Sequence, residues 1–451
     1  MRDIVLVTVD SLRADHVGWH DYERRTTPNL NDYAETSQTY TQAFAHACST
    51  RPSFPSILTS SYALMYGGFE RLSEERTTLA ERLSDGGYET AGFHSNLYLS
   101  ADFGYDRGFD KFFDSKSDSS VLAKLRQTVK THVDDESRIY RLLQQIFNAT
   151  EKRAGIELGS AYVDAEELTD RALSWARTTT SGPRFLWVHY MDVHHPYVPP
   201  DEYQRRFRDE PIDDRRAVQL RREMLEAPDS LSDDEVGDIV DLYDAEIAYM
   251  DAEVDRLVGT LRDEWGEDTV FAFTSDHGEE FKEHGGFSHR ATFHDEVLHV
   301  PLFVDAGDST DTYEDLVGLL DLAPTLTQYA DLESPENFYG NPLQRAGTNS
   351  WSRSSVISEW ADTETGDRRF SVRTTDWKYV REEDESERLY DLNKDPRETK
   401  NVVSSAPDAL DNLCERLDDH IGRLERTQDD LGEVGMDEQT RQRLQDLGYR
   451  E

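Results

Sequence analysis

Two short apolar runs, far apart in the chain, each end in side chains of the kind that bind metal ions. The β-branched run Ile4–Val9 is followed by Asp10. The run Val270–Phe273 leads to the adjacent pair Asp276 and His277. Such runs are typical of strands buried on both faces of a parallel sheet, and ligands gather beyond the carboxyl ends of these strands. We therefore expect the two strand ends to meet in one crevice, although each could instead cap the element that follows it.

Strands and helices alternate through the first two thirds of the chain. Besides the two strands above, the apolar spacing predicts helices at 28–37, 79–83, 164–178, 234–261 and 313–329, and strands at 88–93, 185–189 and 300–304. This alternation is typical of an α/β protein with a mostly parallel central sheet flanked by helices.

The character of the chain changes beyond residue 334. Short β-rich runs at 356–360, 370–373 and 377–381 have the spacing of an antiparallel meander, and a helix is predicted at 409–424. We therefore expect a large α/β domain over residues 1–335 and a smaller α+β subdomain over residues 336–451. The polar stretch 114–160 interrupts the first domain. It is either a variable insertion that shapes a substrate site or simply a solvent-exposed loop.

The composition is extremely acidic. Asp and Glu number 92 against 49 Lys and Arg, the net charge is -43, and only nine of the basic residues are lysine. Disorder does not explain this charge, because aromatic residues make up 10% of the chain and the apolar runs are regular. We interpret the composition as halophilic, since high salt screens self-repulsion, and we expect no binding to nucleic acid.

Other sequence features favour a cytoplasmic location. Met1, Arg2 and Asp3 lead straight into the first strand, which leaves no room for a signal peptide. No apolar run is long enough to span a bilayer, so no transmembrane segment is expected. Cys48 and Cys414 provide no disulfide framework.

A candidate nucleophile lies at Thr50. Pro52 suits an early helix position, which places Thr50 at or just before a helix N-terminus. A hydroxyl there benefits from the helix dipole and from free backbone N–H groups, which also attract an oxyanion. Beside a divalent metal ion it becomes a usable nucleophile. On spacing alone, the role of a simple N-cap is favoured.

In their order along the chain, these regions resemble the motifs of the sulfatase family, within the alkaline phosphatase superfamily, in a haloarchaeal form. The resemblance covers essentially the whole chain and is weakest over 114–160. It implies an alkaline-phosphatase-like fold, with residues 1–335 as the catalytic domain, and an ester hydrolase. The segments that carry it are Asp10–Arg13, Thr50–Thr59, Gly87–Ala91, Asp192–Tyr197, Thr274–Gly285, Val300–Leu302, Asp321–Leu326, Trp377–Tyr379 and Leu389–Glu398.

The resemblance implies one divalent metal ion at the site. Its ligands would be Asp10, Asp276 and His277, together with the nucleophile Thr50. Calcium sulfatases usually carry a second Asp where this chain has Ser11. With one carboxylate fewer and an imidazole present, Mn or Zn is as credible as Ca.

The resemblance also implies residues that contact the substrate. His194 and His289 occupy positions where the family contacts the transferred ester group and its leaving oxygen, although each could be a surface or structural histidine. Substrate binding is assigned to Arg51, Asn96 and Asp192. The substrate would be a small-molecule, lipid or glycan ester.

The nucleophile motif departs from the family. Sulfatases usually carry Cys or Ser, any residue, Pro, any residue and Arg, and the first residue is oxidised to formylglycine. Alignment on Pro52 places Thr50 first and Phe54 where Arg is expected, and Thr cannot be converted in this way. Cys48 lies two residues too early. A Thr nucleophile is similar to that of some phosphodiesterases and phosphoethanolamine transferases of the same superfamily.

The sequence therefore favours a metal-dependent hydrolase that cleaves a sulfuric or phosphoric ester through a covalent ester of Thr50. A phosphodiesterase, phosphonate monoester hydrolase or phosphotransferase is the alternative within the superfamily. The alternative of another class is a non-catalytic metal-binding protein of the same fold. Retention of Asp10, Asp276 and His277 weighs against this last reading, and loss of the formylglycine motif weighs for it.

The charge of the chain generates a first prediction. The melting temperature should rise as KCl is increased from low to multimolar concentration, because the screening length falls to about 3 Å at 1 M salt. Differential scanning calorimetry across the salt series measures this directly. A melting temperature that stays flat or falls would contradict the halophilic interpretation.

Overall fold

The computed structural model describes residues 1–115, 162–179, 182–363, 365–382 and 386–427. The predicted insertion at 114–160 lies almost wholly outside the described residues, so its role stays a prediction. The strands, in chain order, are β1 Ile4–Val9, β2 Gln38–Tyr40, β3 Ala43–Phe44, β4 Glu89–His94, β5 Lys111–Phe113, β6 Arg184–Tyr190, β7 Val270–Ser275, β8 Leu302–Asp305, β9 Thr312–Tyr313, β10 Val317–Gly318, β11 Val356–Ala361, β12 Arg368–Arg373, β13 Trp377–Arg381 and β14 Glu387–Asp391.

The helices predicted at 28–37, 79–83, 164–178 and 234–261 are present, with small shifts at their ends. In chain order, the helices are α1 Pro28–Glu35, α2 Thr50–Thr59, α3 Leu79–Asp85, α4 Ala165–Ala176, α5 Asp201–Gln204, α6 Asp214–Glu226, α7 Asp233–Trp265, α8 Asp295–Leu298, α9 Leu322–Tyr329 and α10 Pro407–Arg426. Within the described ranges, no helix combines the length and the apolar character that a membrane span requires.

The centre of the fold is an eight-stranded sheet in the order β5-β4-β6-β1-β7-β8-β2-β9. Its strands are parallel except that β8 runs antiparallel to both of its neighbours. Every residue of β1 and β7 is buried. The predicted α/β architecture with a mostly parallel central sheet is therefore confirmed.

Successive residues of β1 enter two different core layers, as the period of two in a strand requires. Ile4 and Leu6 belong to the apolar cluster on one face of the sheet, whereas Val5 and Val7 belong to the cluster on the other. Helix α7 packs on the second face. Its buried stripe includes the predicted set Ile239, Leu242, Ile247, Met250, Val254, Leu257 and Leu261.

The register of the central strands decides which residues meet at the carboxyl edge of the sheet. Val9 of β1 lies opposite Ser275 of β7 and opposite Tyr190 of β6. The ladder continues one step further, because the Asp10 N–H donates to the Tyr190 carbonyl at 2.9 Å and the Asp276 N–H donates to the Val9 carbonyl at 3.2 Å. Asp10 and Asp276 therefore leave the sheet side by side.

The C-terminal part forms a second, antiparallel sheet in the order β11-β12-β13-β14. This confirms the predicted antiparallel meander and adds a fourth strand. The sheet is tied to the larger part by the buried Lys378, whose Nζ lies 2.5 Å from Asp295 Oδ1 and 2.6 Å from Glu398 Oε1. The exact domain boundary at residue 335 stays a prediction.

The predicted helix at 313–329 is wrong in its first half. Val317 and Gly318 form β10, which pairs in parallel with Ala43 and Phe44, and the α-helix begins only at Leu322. The apolar residues of this stretch are buried in either conformation, so the pattern alone does not distinguish a strand from a helix.

Candidate active site

The ends of β1 and β7 bring three metal-type ligands together at the middle of the sheet. Asp10, Asp276 and His277 are completely buried, and each offers one ligand atom within 4.8 Å of the other two. His277 Nε2 lies 3.6 Å from Asp10 Oδ1 and 3.6 Å from Asp276 Oδ2. Residues that are far apart in the sequence thus lie close together in space, and we call this group the Asp10 cluster.

The donor set of the Asp10 cluster fits a divalent metal ion. Asp276 Oδ2 is buried without a hydrogen-bond partner. Burial and the negative charge of Asp10 raise the pKa of Asp276 to about 8. Burial also opposes ionisation of Asp10, but His194, His189 and His277 hold the pKa of Asp10 well below its usual range. Two neighbouring buried carboxylates are compatible with full ionisation when a cation lies between them.

His277 has the protonation state that a metal ligand needs. Its Nδ1 lies 2.9 Å from the carbonyl oxygen of Gly278, so Nδ1 carries the hydrogen and Nε2 faces the carboxylates bare. Burial lowers the pKa of His277 to about 4, which keeps the ring neutral near pH 7. A backbone carbonyl that fixes the tautomer in this way is a common support for a metal-ligating histidine.

Thr50 is the first residue of α2, and Ser49 occupies the N-cap position. Thr50 Oγ1 lies 3.1 Å from Asp10 Oδ2 and 3.2 Å from His277 Nε2. The hydroxyl therefore points into the Asp10 cluster and does not cap the helix. Burial raises the pKa of Cys48 to about 12, which keeps that thiol protonated and unreactive.

Two histidines beside the Asp10 cluster differ in their surroundings. His194 Nδ1 lies 2.6 Å from the carbonyl oxygen of His195, and burial lowers the pKa of His194 to about 3. The ring of His289 lies 4.6 Å from that of His277, centroid to centroid, and its Nδ1 lies 3.6 Å from Glu279 Oε1. Burial alone would lower the pKa of His289, but Glu279 raises it. His194 is therefore neutral, and His289 is the more readily protonated ring.

The three residues expected to bind substrate are placed differently. Asn96 Nδ2 lies 3.3 Å from a carboxylate oxygen of Asp10, at the cluster. Arg51 follows Thr50 in α2, and its guanidinium lies 5.0 Å from the centre of the Tyr98 ring. Asp192 accepts a hydrogen bond at 2.8 Å from the first backbone N–H of α4 and is buried there. This contact is with the start of a helix, and the assignment of Asp192 to substrate binding stays a prediction.

Sequence reasoning missed two contributions to the Asp10 cluster. His189, on β6, is buried with its Nε2 3.6 Å from Asp10 Oδ2. Ser11 has a φ of 62°, and its hydroxyl donates to Asp10 Oδ1 at 2.8 Å while its N–H donates to Asp276 Oδ1 at 3.3 Å. A left-handed backbone costs a non-glycine residue about 1–2 kcal/mol, which these contacts offset. A histidine near the carboxyl end of a central strand was the available signal for His189.

Comparison with protein families agrees with this geometry. Residues 2–332 match the family described as Sulfatase, and residues 282–427 match the family described as N-sulphoglucosamine sulphohydrolase, C-terminal. Because the first match spans well over half of the chain, the protein belongs to the sulfatase family. It is a hydrolase of ester bonds, and members of this family typically bind a divalent metal ion.

Individual relatives are distant but extend along the whole chain. The uncharacterized sulfatase YidJ of Escherichia coli (strain K12) is 23% identical over 446 residues, which are 94% of this chain and 87% of that protein. The phosphonate monoester hydrolase of Agrobacterium radiobacter superimposes with a TM-score of 0.71 at 21% identity, over 94% of this chain and 96% of its own. A protein solved with its substrate D-glucosamine-2-N,6-O-disulfate gives a TM-score of 0.73 at 16% identity, over 96% and 100%. The fold is shared with both structures.

The composition of the Asp10 cluster generates a second prediction. Asp276→Ala should lose one equivalent of divalent metal per chain, because a buried ligand is removed without replacement. Elemental analysis of the dialysed wild type and variant measures the loss. The matched control is Asp251→Ala, which removes another buried carboxylate that accepts from the backbone N–H of Leu30 at 2.8 Å and should keep the metal content. Unchanged metal in Asp276→Ala would exclude Asp276 as a ligand.

Proposed function

We propose that the protein hydrolyses a sulfuric or phosphoric ester through a covalent ester of Thr50. The observation that carries this proposal is the position of Thr50 Oγ1, which faces Asp10 and His277 at the N-terminus of α2. A divalent ion held by Asp10, Asp276 and His277 would lower the pKa of an adjoining hydroxyl and neutralise the non-bridging oxygens of the ester. The free N–H groups in the first turn of α2 add positive potential on the same side.

In the first step, the Thr50 hydroxyl releases its proton to solvent, and its Oγ forms a bond to sulfur or phosphorus while the bond to the leaving oxygen breaks. His289 is the better proton donor to that oxygen, because Glu279 favours the protonated ring. Glu279 is itself oriented by Tyr197, whose hydroxyl donates to Glu279 Oε2 at 3.0 Å. The pair His289–Glu279 thus supplies a general acid with a fixed direction.

In the second step, water attacks the sulfur or phosphorus of the Thr50 ester, the bond to Thr50 Oγ breaks, and Oγ takes up a proton from solvent to restore the hydroxyl. His194 suits the role of proton acceptor from this water, because the His195 carbonyl engages its Nδ1 hydrogen, which makes Nε2 the nitrogen that takes up a proton. Exchange with solvent then returns the proton lost by His289. In this proposal His289 is the general acid and His194 is the general base, because their surroundings differ.

The identity of the nucleophile favours a second candidate within the same reaction class. The formylglycine hydrate of a typical sulfatase has a second hydroxyl that expels the transferred group by elimination, and Thr50 has none. Release must then occur by water attack, a route well suited to phosphorus. Phosphodiesters and phosphonate monoesters are therefore the second candidate substrates, and phosphotransfer to an acceptor other than water is a variant of the same step.

The acidic composition supports a salt-rich working environment for this hydrolase. The substrate class follows the site chemistry, as an ester of sulfate or phosphate on a small molecule, a lipid or a glycan. A cytoplasmic location stays a prediction from the sequence.

The assignment of Thr50 generates a third prediction. Thr50→Ala should lower kcat/KM about a thousandfold or more, since removal of a nucleophile leaves only binding and electrostatic effects. Cys48→Ala should keep most of the activity, as should Ser49→Ala, which removes the neighbouring hydroxyl. Rates are measured on matched aryl sulfate, phosphate monoester, phosphodiester and phosphonate substrates with Ca, Mn or Zn.

The same experiment includes a direct search for the covalent ester. Rapid quenching during turnover, followed by peptide mapping, should find the mass of the transferred group on Thr50. An aldehyde at Cys48, or full activity in Thr50→Ala, would restore the conventional sulfatase mechanism.

The different roles proposed for His289 and His194 generate a fourth prediction. His289→Gln should lower kcat about 10²–10⁴-fold on substrates with an alcohol leaving group and much less on nitrophenyl esters, because nitrophenolate leaves without a proton. Activity requires protonated His289 and falls as pH rises through its pKa. Glu279→Gln, which removes the group that raises this pKa, should move that fall to lower pH. Equal losses on both leaving groups would exclude His289 as the acid.

A further inference from the structure

A second group of metal-type ligands lies on the loop that carries His289. Glu280, His284 and His294 each offer one ligand atom within 4.8 Å of the other two. Glu296 joins them, because its Oε2 lies 3.2 Å from His284 Nε2. These four residues, which we call the Glu280 cluster, share no member with the Asp10 cluster.

Two contacts within the Glu280 cluster have the spacing of neighbouring metal ligands. The rings of His284 and His294 are stacked, with centroids 3.5 Å apart and planes inclined by 17°. His294 Nδ1 lies 2.9 Å from Glu280 Oε1. In a tetrahedral site with Zn–N bonds of 2.0–2.1 Å, neighbouring ligand atoms are roughly 3.4 Å apart. The imidazole–carboxylate contacts of 2.9 Å and 3.2 Å match this spacing, and the stacked rings would tilt apart for both nitrogens to point at one ion.

The charge of Glu280 is not met by a buried cation. Glu280 is completely buried, and its Oε2 has no hydrogen-bond partner. The cation that faces it is Arg290, at 3.7 Å, whose side chain is 53% exposed. The other nearby cation, Lys378, is ion-paired with both Asp295 and Glu398. A buried carboxylate whose cationic partner is half-exposed is costly, so the Glu280 cluster gains from a cation of its own.

We propose that the Glu280 cluster (Glu280, His284, His294 and Glu296) binds a second divalent ion of the zinc class. This ion would stabilise the conformation of loop 280–296. Mixed nitrogen and oxygen ligands select zinc over calcium, which prefers oxygen alone.

Strained backbone in loop 280–296 explains why a bound ion would stabilise the loop. Lys282 and Ser288 adopt φ values of 75° and 69°, a strained conformation for residues other than glycine. The ligands come from both ends of the loop, and His289 lies between them. An ion at the Glu280 cluster therefore joins the two ends and holds His289 against Glu279.

The test is the zinc content of the full chain after chelation and reloading with zinc alone. Wild type should hold two equivalents per chain. Asp10→Asn/Asp276→Asn, which disables the Asp10 cluster, should keep one, and adding His284→Gln/His294→Gln should leave none. The matched control is His420→Gln, since buried His420 pairs with Glu359 at 2.7 Å without belonging to either cluster, and this variant should keep two.

A second measurement keeps the test independent of folding in the multiple variant. Zinc added to Asp10→Asn/Asp276→Asn should slow amide hydrogen exchange in loop 280–296, and Glu280→Gln in that background should weaken zinc binding at least tenfold. The proposal is overturned if Asp10→Asn/Asp276→Asn retains no zinc, or if its loop exchange is unchanged by zinc. Because that variant lacks the catalytic ligands, these outcomes are separate from the activity tests of Thr50.

Discussion

Two carboxylates buried side by side at the ends of β1 and β7 are the constraint on which the rest of the site depends. Moving one ion from water into a protein interior costs several kcal/mol even after relaxation. The surroundings of Asp10 offset that cost from several directions, through the Ser11 hydroxyl, the Asn96 amide and the imidazole of His189. The same concentration of negative charge attracts a divalent ion and, with it, an anionic ester.

His194 and His289 differ in pKa because different groups face their Nδ1 atoms. A carbonyl oxygen faces Nδ1 of His194, whereas a carboxylate faces Nδ1 of His289. Each unit of pKa difference corresponds to about 1.4 kcal/mol of differential interaction, so one well-placed carboxylate is enough to reverse which ring holds the proton. In the proposed mechanism, Glu279 thereby makes His289 the acid and leaves His194 as the base.

The C-terminal sheet contributes to the site without touching it. Lys378 of β13 reaches the larger part of the chain and pairs with Asp295, which begins α8 at the end of the loop that carries His289. Breaking a buried pair of this kind costs about 3–5 kcal/mol, because the remaining charge is left uncompensated. The antiparallel sheet therefore fixes one end of that loop, and the Glu280 cluster would fix it again closer to His289.

The sequence by itself determined the α/β alternation, the acidic ends of β1 and β7 and the place of Thr50 at the start of a helix. All of these follow from local periodicity and from single residues at element ends. Only the tertiary structure decided that Asp276 lies beside Asp10, that His189 joins them, that Asp192 contacts the start of α4, and that residues 317–318 form a strand. Strand order and register decide such contacts, and both are set by packing between residues far apart in the chain, which local pattern does not encode.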